Sequence, residues 1–519
     1  MTDWTAGYVT DMTYIHGYYK ELNPALLRYS LLTRGLLPPD GDGPFSYCEL
    51  GCGQGYSTAI HAAAHGDGQF FATDFNPNHV LTARYLAAGT PGNCQIAAQS
   101  FADFRHQDNL PPFDFIALHG VYSWISAENR REIRDFIAAK LKIGGVLYIS
   151  YNALPGWATL MPLREILFHH AHQGKGPTAP RLDRALAFLH EMQEKKAAYF
   201  QEGPRIQRHL QQMLGADRRY LAHEYLNQDL HPMYFSEVAG ELAAARLTYA
   251  ASANLLDHLD AVNLGTVAAQ HLQTIEDPYF RETIRDFYVN RQFRTDIYVQ
   301  GALRLSAREQ QGRLLRQRFA LVVPETACQM NHTFPVGSMS LQAEIYGPII
   351  AALARGTRSV AELQAVVQAE VQAGPPQGAG QAQITIGNLV EALMVLVGIG
   401  YCQPALPEAG EAERRTATAR FNAQILDPAR SAEDFNFLAS PVTGGGVGVS
   451  RPQQLFLEAR RLGQPPVAFT WEAIQSQGQS LIKDGRLLAT VEENLAELGS
   501  QWAEFEGQAL PLLARLGIA

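Results

Sequence analysis

The chain has 519 residues, 46% of them hydrophobic, and a formal net charge of −9, so we expect about two to four domains. The negative charge argues against a dedicated nucleic-acid-binding protein. The five cysteines are scattered without C-x-x-C spacing, which supports neither a zinc site nor a disulfide framework, and no other metal site is predicted. The first residues lack the pattern of a signal peptide, and the longest apolar run, at 388–401, is too short to span a bilayer. We therefore expect a cytoplasmic protein without membrane insertion.

Short apolar runs alternate with helical patterns between residues 45 and 151. The runs predicted as strands are 46–50, 68–74, 93–99, 113–119 and 145–152. Strands separated by helices predict a parallel sheet covered on both faces, and right-handed crossovers make it doubly wound. Two further segments, 218–227 and 246–254, are predicted as its last strands. The expected fold class is therefore α/β, with a Rossmann-like, mostly parallel, seven-stranded sheet.

The rest of the chain is predicted to be mainly helical. The first domain is expected to span 1–256, with a helical insertion at about 160–215. Residues 257–320 are Arg-rich and predicted helical, either as solvated helix faces or as a surface that binds an anion or a partner. The C-terminal region, 321–519, contains a winged-helix-like pattern and a linker at 373–383. Its glycine-rich stretch at 438–450 is expected to be a mobile turn rather than a phosphate loop, because no Lys-Ser/Thr follows.

Three glycines, Gly51, Gly53 and Gly55, stand between the first predicted strand and a helix. Such a loop lets a ligand approach bare backbone and directs helix N–H groups at it. The dinucleotide fingerprint requires a further glycine where this chain has Tyr56. S-adenosylmethionine has no pyrophosphate and needs an acid near its amino group, where Glu49 is placed.

Polar and aromatic residues follow the next two predicted strands. Asp74 ends the second strand, where a carboxylate can accept hydrogen bonds from both ribose hydroxyls. Phe75 is expected to pack against the adenine, and Ser100, Phe101 and Asp103 are expected to border it. The residues predicted to bind S-adenosylmethionine are Glu49, Gly51, Cys52, Gly53, Gly55, Asp74, Phe75, Ser100, Phe101 and His119.

Together these motifs resemble class I S-adenosylmethionine-dependent methyltransferases, and more narrowly the bacterial group that carries a methyltransferase regulatory domain. The resemblance rests on ELGCGQGYST (49–58), ATDFNPNHV (72–80), HGVYSWIS (119–126), YISYNALPGW (148–157), HPMYFSEVAGELAAARLTYAA (231–251) and the tail LASPVTGGGV. That group includes protein-lysine methyltransferases that modify rickettsial outer-membrane proteins. The resemblance implies a methyltransferase core with additional helical and C-terminal domains, a protein substrate and a homodimer.

The acceptor is expected beyond the fourth and fifth strands, beside the cofactor. The residues predicted to be catalytic are His119, Tyr122, Trp124, Tyr151 and Asn152. Aromatic walls attract a cationic acceptor, and His119 is either the general base or a residue that bonds backbone. The N-terminal tyrosines, Tyr8, Tyr14, Tyr18 and Tyr19, are either a lid over the cofactor or one face of a half-buried helix.

The sequence therefore predicts transfer of a methyl group from S-adenosylmethionine to a protein side chain, with lysine preferred. Two alternatives stay open. One is methylation of a small molecule or an RNA base, and the other is a regulatory protein that binds the cofactor without turnover.

Overall fold

A seven-stranded sheet forms the centre of the molecule. The computed structural model describes residues 5, 7–41, 43–373 and 385–519. The strands are β1 (Phe45–Leu50), β2 (Gly68–Asp74), β3 (Cys94–Ala98), β4 (Phe113–Leu118), β5 (Leu141–Asn152), β6 (Leu247–Ser252) and β7 (Phe293–Gln300). Their order is β3-β2-β1-β4-β5-β7-β6. The first five strands are parallel, and β7 runs antiparallel to both β5 and β6. The predicted Rossmann-like fold is confirmed.

The strand order reverses between β1 and β4, which opens a crevice at the carboxyl ends of these strands. Hydrophobic cores cover both faces of the sheet, because neighbouring residues on a strand point to opposite sides. On β4, for example, Phe115 belongs to one core and Ile116 to the other. The helices that accompany the first strands are α1 (Pro24–Thr33), α2 (Tyr56–Ala64), α3 (Pro77–Ala87), α4 (Phe101–Arg105) and α5 (Ala127–Lys140).

A helical insertion follows β5, as expected. It consists of α6 (Met161–Gln173), α7 (Thr178–Glu194), α8 (Pro204–Gly215) and α9 (Arg218–Tyr225), after which α10 (Phe235–Ala243) leads into β6. The strand predicted at 218–227 is wrong, because this segment forms α9. Asp217 caps the helix by accepting a hydrogen bond from the Arg219 N–H at 2.7 Å. Leu221 and Tyr225, four residues apart, pack into the core of the insertion, which is the spacing of a helix face.

The region after β6 is not wholly helical. It contains α11 (Asp260–Asn263), α12 (Gly265–Gln273), α13 (Pro278–Val289) and α14 (Ala307–Arg316), but β7 lies between the last two helices. The helical prediction for 293–300 is therefore wrong, because this strand has charged residues at buried positions where a strand pattern has apolar ones. Arg294 is only 4% exposed and bonds Asp286 at 2.7 Å and Asp296 at 2.9 Å. For this arginine, the expectation of a solvated helix face is also wrong.

The C-terminal region begins with a small sheet and three helices. The strands are β8 (Arg318–Leu321), β9 (Asn331–Phe334), β10 (Gly337–Ser340), β11 (Arg358–Ser359) and β12 (Cys402–Ala405), and the helices are α15 (Ala343–Ala354), α16 (Val360–Ala373) and α17 (Ile386–Gly398). The antiparallel sheet β11-β8-β12 packs with these helices, in agreement with the winged-helix-like pattern. The predicted linker lies outside the described residues, except for Ala373.

The remaining elements form a last helical unit. They are α18 (Glu411–Leu426), β13 (Phe437–Ala439), β14 (Gly446–Gly448), α19 (Arg451–Arg461), α20 (Pro466–Ser476), β15 (Ile482–Lys483), β16 (Arg486–Leu487), α21 (Val491–Glu504) and α22 (Leu510–Arg515). The glycine-rich stretch, predicted as a mobile turn, forms a buried hairpin of β13 and β14. A Cβ on Gly444 would lie 2.5 Å from His65 Nε2, so this glycine permits close packing on the core domain. Within the described part of the chain, every helix is too short or too polar to traverse a bilayer.

Candidate active site

The glycine loop after β1 has a left-handed backbone at three positions, and its glycines do not all serve the same purpose. Gly51, Gly53 and Gly55 have φ angles of +74°, +54° and +69°, in the left-handed region that favours glycine. A Cβ on Gly51 would lie 2.6 Å from Val121 Cγ2, and one on Gly55 would lie 2.7 Å from Ala83 Cβ. A Cβ on Gly53 would meet nothing within 4 Å. Two glycines therefore allow the protein to pack, whereas the third leaves room for a ligand.

Asp74 joins the end of β2 to the glycine loop. Its Oδ2 accepts a hydrogen bond from the Gly53 N–H at 2.9 Å, and its Oδ1 accepts one from the Asn76 N–H at 2.9 Å. Each carboxylate oxygen can accept a further hydrogen bond. The carboxylate is thus held in place and can still receive ribose hydroxyls.

A cavity of about 780 Å³ lies over the carboxyl ends of the strands. Every residue predicted to bind the cofactor lines it: Glu49, Gly51, Cys52, Gly53, Gly55, Asp74, Phe75, Ser100, Phe101 and His119. They come from the carboxyl ends of four different strands or the segments that follow them, which the fold brings to one edge of the sheet. Their individual roles stay predictions.

In place of the predicted Asp103, Gln99 faces the cavity after β3. Asp103 does not line the cavity; its carboxylate accepts a hydrogen bond from the Ser100 hydroxyl at 2.7 Å, at the start of α4. Gln99 lines the cavity instead, and its buried Oε1 has no hydrogen-bond partner among the described residues. This oxygen can accept a hydrogen bond from an adenine amino group. Its position directly after β3 was the only signal in the sequence.

Glu49 lies at the floor of the cavity, near the end of β1. Its side chain is buried, and the Thr58 hydroxyl of α2 donates a hydrogen bond to its Oε2. Burial raises the pKa of the Glu49 carboxyl to about 7, because the charged form loses its hydration. A cationic ligand, such as the amino group of S-adenosylmethionine, would favour the charged form.

His119 lies between two tyrosines. Its Nδ1 is 2.8 Å from the Tyr148 hydroxyl, and its ring stacks on Tyr19 with centroids 3.7 Å apart. Burial lowers the pKa of His119 to about 3. The imidazole is therefore neutral at physiological pH and a weak base, and the geometry favours a positioning role over proton abstraction.

The other predicted catalytic residues divide into two groups. Trp124 and Asn152 line the cavity, and the buried Asn152 Nδ2 has no hydrogen-bond partner within the described ranges. Tyr122 and Tyr151 are in the core instead, where their hydroxyls donate to Glu241 and Asp296. Tyr151 and Asn152 are adjacent on β5, so their side chains point to opposite faces. The structure thus does not bring Tyr122 or Tyr151 to the cavity, and neither is retained as a catalytic candidate.

Residues 7–19, which we call the N-terminal strap, cross the cavity without forming a helix. The Val9 N–H donates to Asn227 Oδ1 at 2.9 Å, and the Tyr19 N–H donates to Ser57 Oγ at 3.0 Å. The strap is therefore bound to the helical insertion at one end and to α2 at the other. Three of its tyrosines, Tyr8, Tyr14 and Tyr19, line the cavity. This geometry favours the lid over the helix face.

Tyr18 is the exception among the strap tyrosines. It does not line the cavity but packs against His61 and Phe437, with ring centroids 5.5 Å and 5.0 Å away. It therefore connects the strap to the C-terminal hairpin rather than to the ligand.

Helix α9 supplies a wall that the sequence did not predict. Tyr220, His223, Glu224 and Tyr225 line the cavity. The first three stand at positions i, i+3 and i+4, on one face of a helix, and this spacing would have identified them had the segment been assigned as helical. Burial raises the pKa of the Glu224 carboxyl to about 7, although a hydrogen bond with the Tyr14 hydroxyl acts to lower this pKa.

The fold, the glycine loop and the acid after β2 together define a methyltransferase of the S-adenosylmethionine-dependent class. Residues 48–147 match the family model of a methyltransferase domain, and residues 217–300 match that of a predicted methyltransferase regulatory domain. When bound, S-adenosylmethionine supplies a methyl group carried on a sulfonium. The open space at Gly53 and the unpaired Gln99 oxygen fit such a ligand.

Comparisons of the whole chain agree with this assignment. The Synechocystis protein sll1526 is 41% identical over 518 residues, which cover 99% of this chain and 100% of that protein. The chain therefore belongs to the same family as this cyanobacterial protein, and it is an S-adenosylmethionine-dependent methyltransferase with a regulatory domain. The Rickettsia prowazekii protein RP789 is 26% identical over 56% of this chain and 52% of its own length.

Solved structures share the fold over almost the full length. PKMT2 from Rickettsia typhi superimposes with a TM-score of 0.69 and 20% identity, over 98% of this chain and 100% of that protein. Its complex with AdoHcy gives a TM-score of 0.66 and 19% identity, over 94% and 98% of the two chains. At this level of identity, the likeness shows a shared fold.

Proposed function

We propose that this enzyme methylates the ε-amino group of lysine in a protein substrate. The observation that carries the proposal is the chemistry of the cavity wall. Its lining contains four carboxylates, Glu49, Asp74, Glu224 and Asp229, and, among the described residues, no lysine or arginine. Such a wall attracts a cation and repels a phosphate group.

Aromatic side chains add to this preference. Trp124, Trp157, Tyr220 and Tyr225 line the part of the cavity formed by the ends of β4 and β5 and by the insertion. Faces of tryptophan and tyrosine attract an alkylammonium group through cation–π interactions. The strap covers the same space, and exclusion of water strengthens these electrostatic interactions. The chain thus provides binding, orientation and shielding for a cationic acceptor.

The substrate is proposed to be a protein because the chain adds a helical insertion and a large C-terminal region to the methyltransferase core, and a small acceptor does not require a recognition surface of this size. The similarity of fold to PKMT2 and the resemblance of the motifs to rickettsial lysine methyltransferases support the same acceptor. A homodimer and a cytoplasmic location stay predictions from the sequence.

An RNA base is less well supported as the acceptor. The Arg-rich region would favour RNA only as a continuous basic surface. Two of its arginines, Arg291 and Arg294, are instead engaged in ion pairs with Asp257 and Asp286 at 2.8 Å and 2.7 Å.

The test is transfer of labelled methyl groups from S-adenosylmethionine into a bacterial lysate. Protein, nucleic-acid and small-molecule fractions are separated, and the labelled protein is hydrolysed to amino acids. We expect the label in N-methylated lysine, and less of it with the Asp74→Ala variant when the cofactor is limiting. Label in another fraction or another amino acid would contradict the proposal, and absence of label from every fraction would favour the protein without turnover.

A further inference from the structure

The four carboxylates of the cavity differ in their partners. Glu49 accepts a hydrogen bond from a threonine, Asp74 from two backbone N–H groups, and Asp229 lies 3.0 Å from the ring of His231. For Glu224, no ion pair with a lysine, arginine or histidine is found among the described residues. Asp74 also lies 3.5 Å from the ring of His79, whereas Glu49 and Glu224 each have a hydroxyl partner, Thr58 and Tyr14, and no ionic partner among the described residues. Of these two, Glu224 is the one that lies on the cavity wall formed by α9.

Tyrosines of the strap and of α9 line the same cavity as Glu224. Burial raises the pKa of Tyr8, Tyr14 and Tyr19 of the strap, and the nearby charge of Glu224 raises each of them further. The same two causes raise the pKa of Tyr220 to about 12. These hydroxyls therefore stay neutral and can accept hydrogen bonds from a cation placed beside the carboxylate.

The neighbouring histidine does not supply a positive charge. Burial lowers the pKa of His223 to about 4, so this ring is neutral at physiological pH. A half-buried carboxylate without a counter-ion is costly, and it persists at functional sites where a ligand completes it. A ligand cation would remove the cost at Glu224.

The position of Glu224 relates it to the methyl-transfer end of the cavity. Its charge acts on Tyr19, which stacks on His119 directly after β4. The acceptor is expected at this side of the cofactor, beyond β4 and β5. The strap tyrosines thus connect the carboxylate of the insertion to the strand ends of the core.

We propose that Glu224 binds the ammonium group of the acceptor, within a ring formed by the tyrosines of the strap and of α9. This inference rests on the proposed lysine acceptor and assigns its recognition to one residue. The carboxylate provides the charge that distinguishes an alkylammonium from a neutral side chain of the same length, and the tyrosine rings enclose the alkyl part.

Binding of a lysine side-chain mimic tests the inference without turnover. The probe is n-butylammonium, titrated by calorimetry at pH 8 into the protein saturated with S-adenosylhomocysteine, and n-butanol is its neutral counterpart. We expect the wild-type protein to bind the cation roughly tenfold or more tightly than the alcohol, because a hydrogen bond to a charged partner is lost with the alcohol. Equal binding of the two, or no saturable binding of the cation, would overturn the inference.

Substitutions at Glu224 test whether this residue is the one that binds the cation. Glu224→Gln should weaken n-butylammonium binding roughly tenfold or more and leave n-butanol binding unchanged, whereas Glu224→Asp should bind the cation more tightly than Glu224→Gln. Glu202→Gln, an exposed carboxylate of the same insertion outside the cavity, is the matched control and should behave as wild type. The dissociation constant for S-adenosylhomocysteine reports that each variant is folded. Unchanged affinity for the cation in Glu224→Gln would refute the role of this residue.

The two proposals fail separately. Methylated lysine in the lysate together with an unaffected Glu224→Gln variant would remove only the role of Glu224. A methylated product other than lysine, with cation binding that still depends on Glu224, would remove only the lysine acceptor.

Discussion

Alanine substitutions in the glycine loop separate packing of the loop from contact with the cofactor. Gly51 and Gly53 both have a left-handed backbone, so a Cβ at either position costs about 1–2 kcal/mol of conformational strain. The two sites differ in what the new methyl group meets. At Gly51 it would lie 2.6 Å from Val121 Cγ2, whereas at Gly53 it would enter open space.

The clash at Gly51 forces Val121 or the loop to move, and overpacking of this kind typically costs about 1–3 kcal/mol. We therefore expect Gly51→Ala to reduce the free energy of unfolding by roughly 2–5 kcal/mol and Gly53→Ala by only about 1–2 kcal/mol. The difference corresponds to an unfolding midpoint lower by roughly 2–12 °C for Gly51→Ala, because 1 kcal/mol shifts a domain of this size by about 2–4 °C.

Gly53→Ala should lose more cofactor affinity than Gly51→Ala, although it loses less stability. The Cβ of Gly53→Ala would occupy space at the ligand, so we expect its dissociation constant for S-adenosylhomocysteine to rise roughly tenfold, and more than that of Gly51→Ala. Thermal unfolding without ligand and titration calorimetry measure the two quantities on the same preparations. Unchanged affinity in Gly53→Ala would refute the placement of the ligand against Gly53, and a Gly53→Ala variant less stable than Gly51→Ala would refute the clash with Val121.

Three further substitutions test the site. Asp74→Ala should weaken cofactor binding by roughly 1.5–3 kcal/mol, since charged hydrogen bonds are lost; an unchanged dissociation constant would contradict the ribose assignment. Burial raises the pKa of Glu49 from 4.5 to about 7, so between these pH values the folded state holds more protons than the unfolded state, and stability falls as pH rises. Glu49→Gln should abolish that part of the decline in unfolding midpoints measured from pH 5 to pH 8, and an identical decline would refute the shift. Because the pKa of His119 is about 3, His119→Gln should leave the shape of the pH profile of kcat/KM unchanged between about pH 5 and 9, and loss of an inflection near neutrality would restore this histidine as the base.

The cofactor half of the cavity could be predicted from the sequence because its residues directly follow strands of a parallel sheet. Periodicity located the first five strands, and the topology of such a sheet brings their carboxyl ends together. Glu49, Asp74 and Phe75 could therefore be predicted without information about contacts that are distant in sequence. Tyr151 shows the limit of this reasoning, because a shift of one residue along a strand reverses the direction of the side chain.

The acceptor half could not be predicted because it depends on contacts that are remote in sequence. Helix α9 was assigned as a strand, so the common face of Tyr220, His223 and Glu224 was not recognised. Strand β7 was missed because Arg294 and Asp296 occupy buried positions that periodicity assigns to apolar residues. The charge of Arg294 is compensated by Asp296 and by Asp286 of α13, and a single sequence does not reveal such pairing.

The cofactor site also depends on the C-terminal region, through α2. This helix begins directly after the glycine loop with Tyr56, whose hydroxyl accepts a hydrogen bond from the Phe437 N–H at 2.8 Å and donates one to the Phe437 carbonyl. One turn later, His61 Nδ1 lies 3.1 Å from the Gly444 carbonyl oxygen. Since α2 fixes the direction in which the loop leaves β1, contacts that hold α2 also hold the backbone against which the cofactor lies. The strap joins the same hairpin through Tyr18. The C-terminal domain therefore packs against both the helix that follows the glycine loop and the strap that covers the cavity, although none of its described residues lines the cavity.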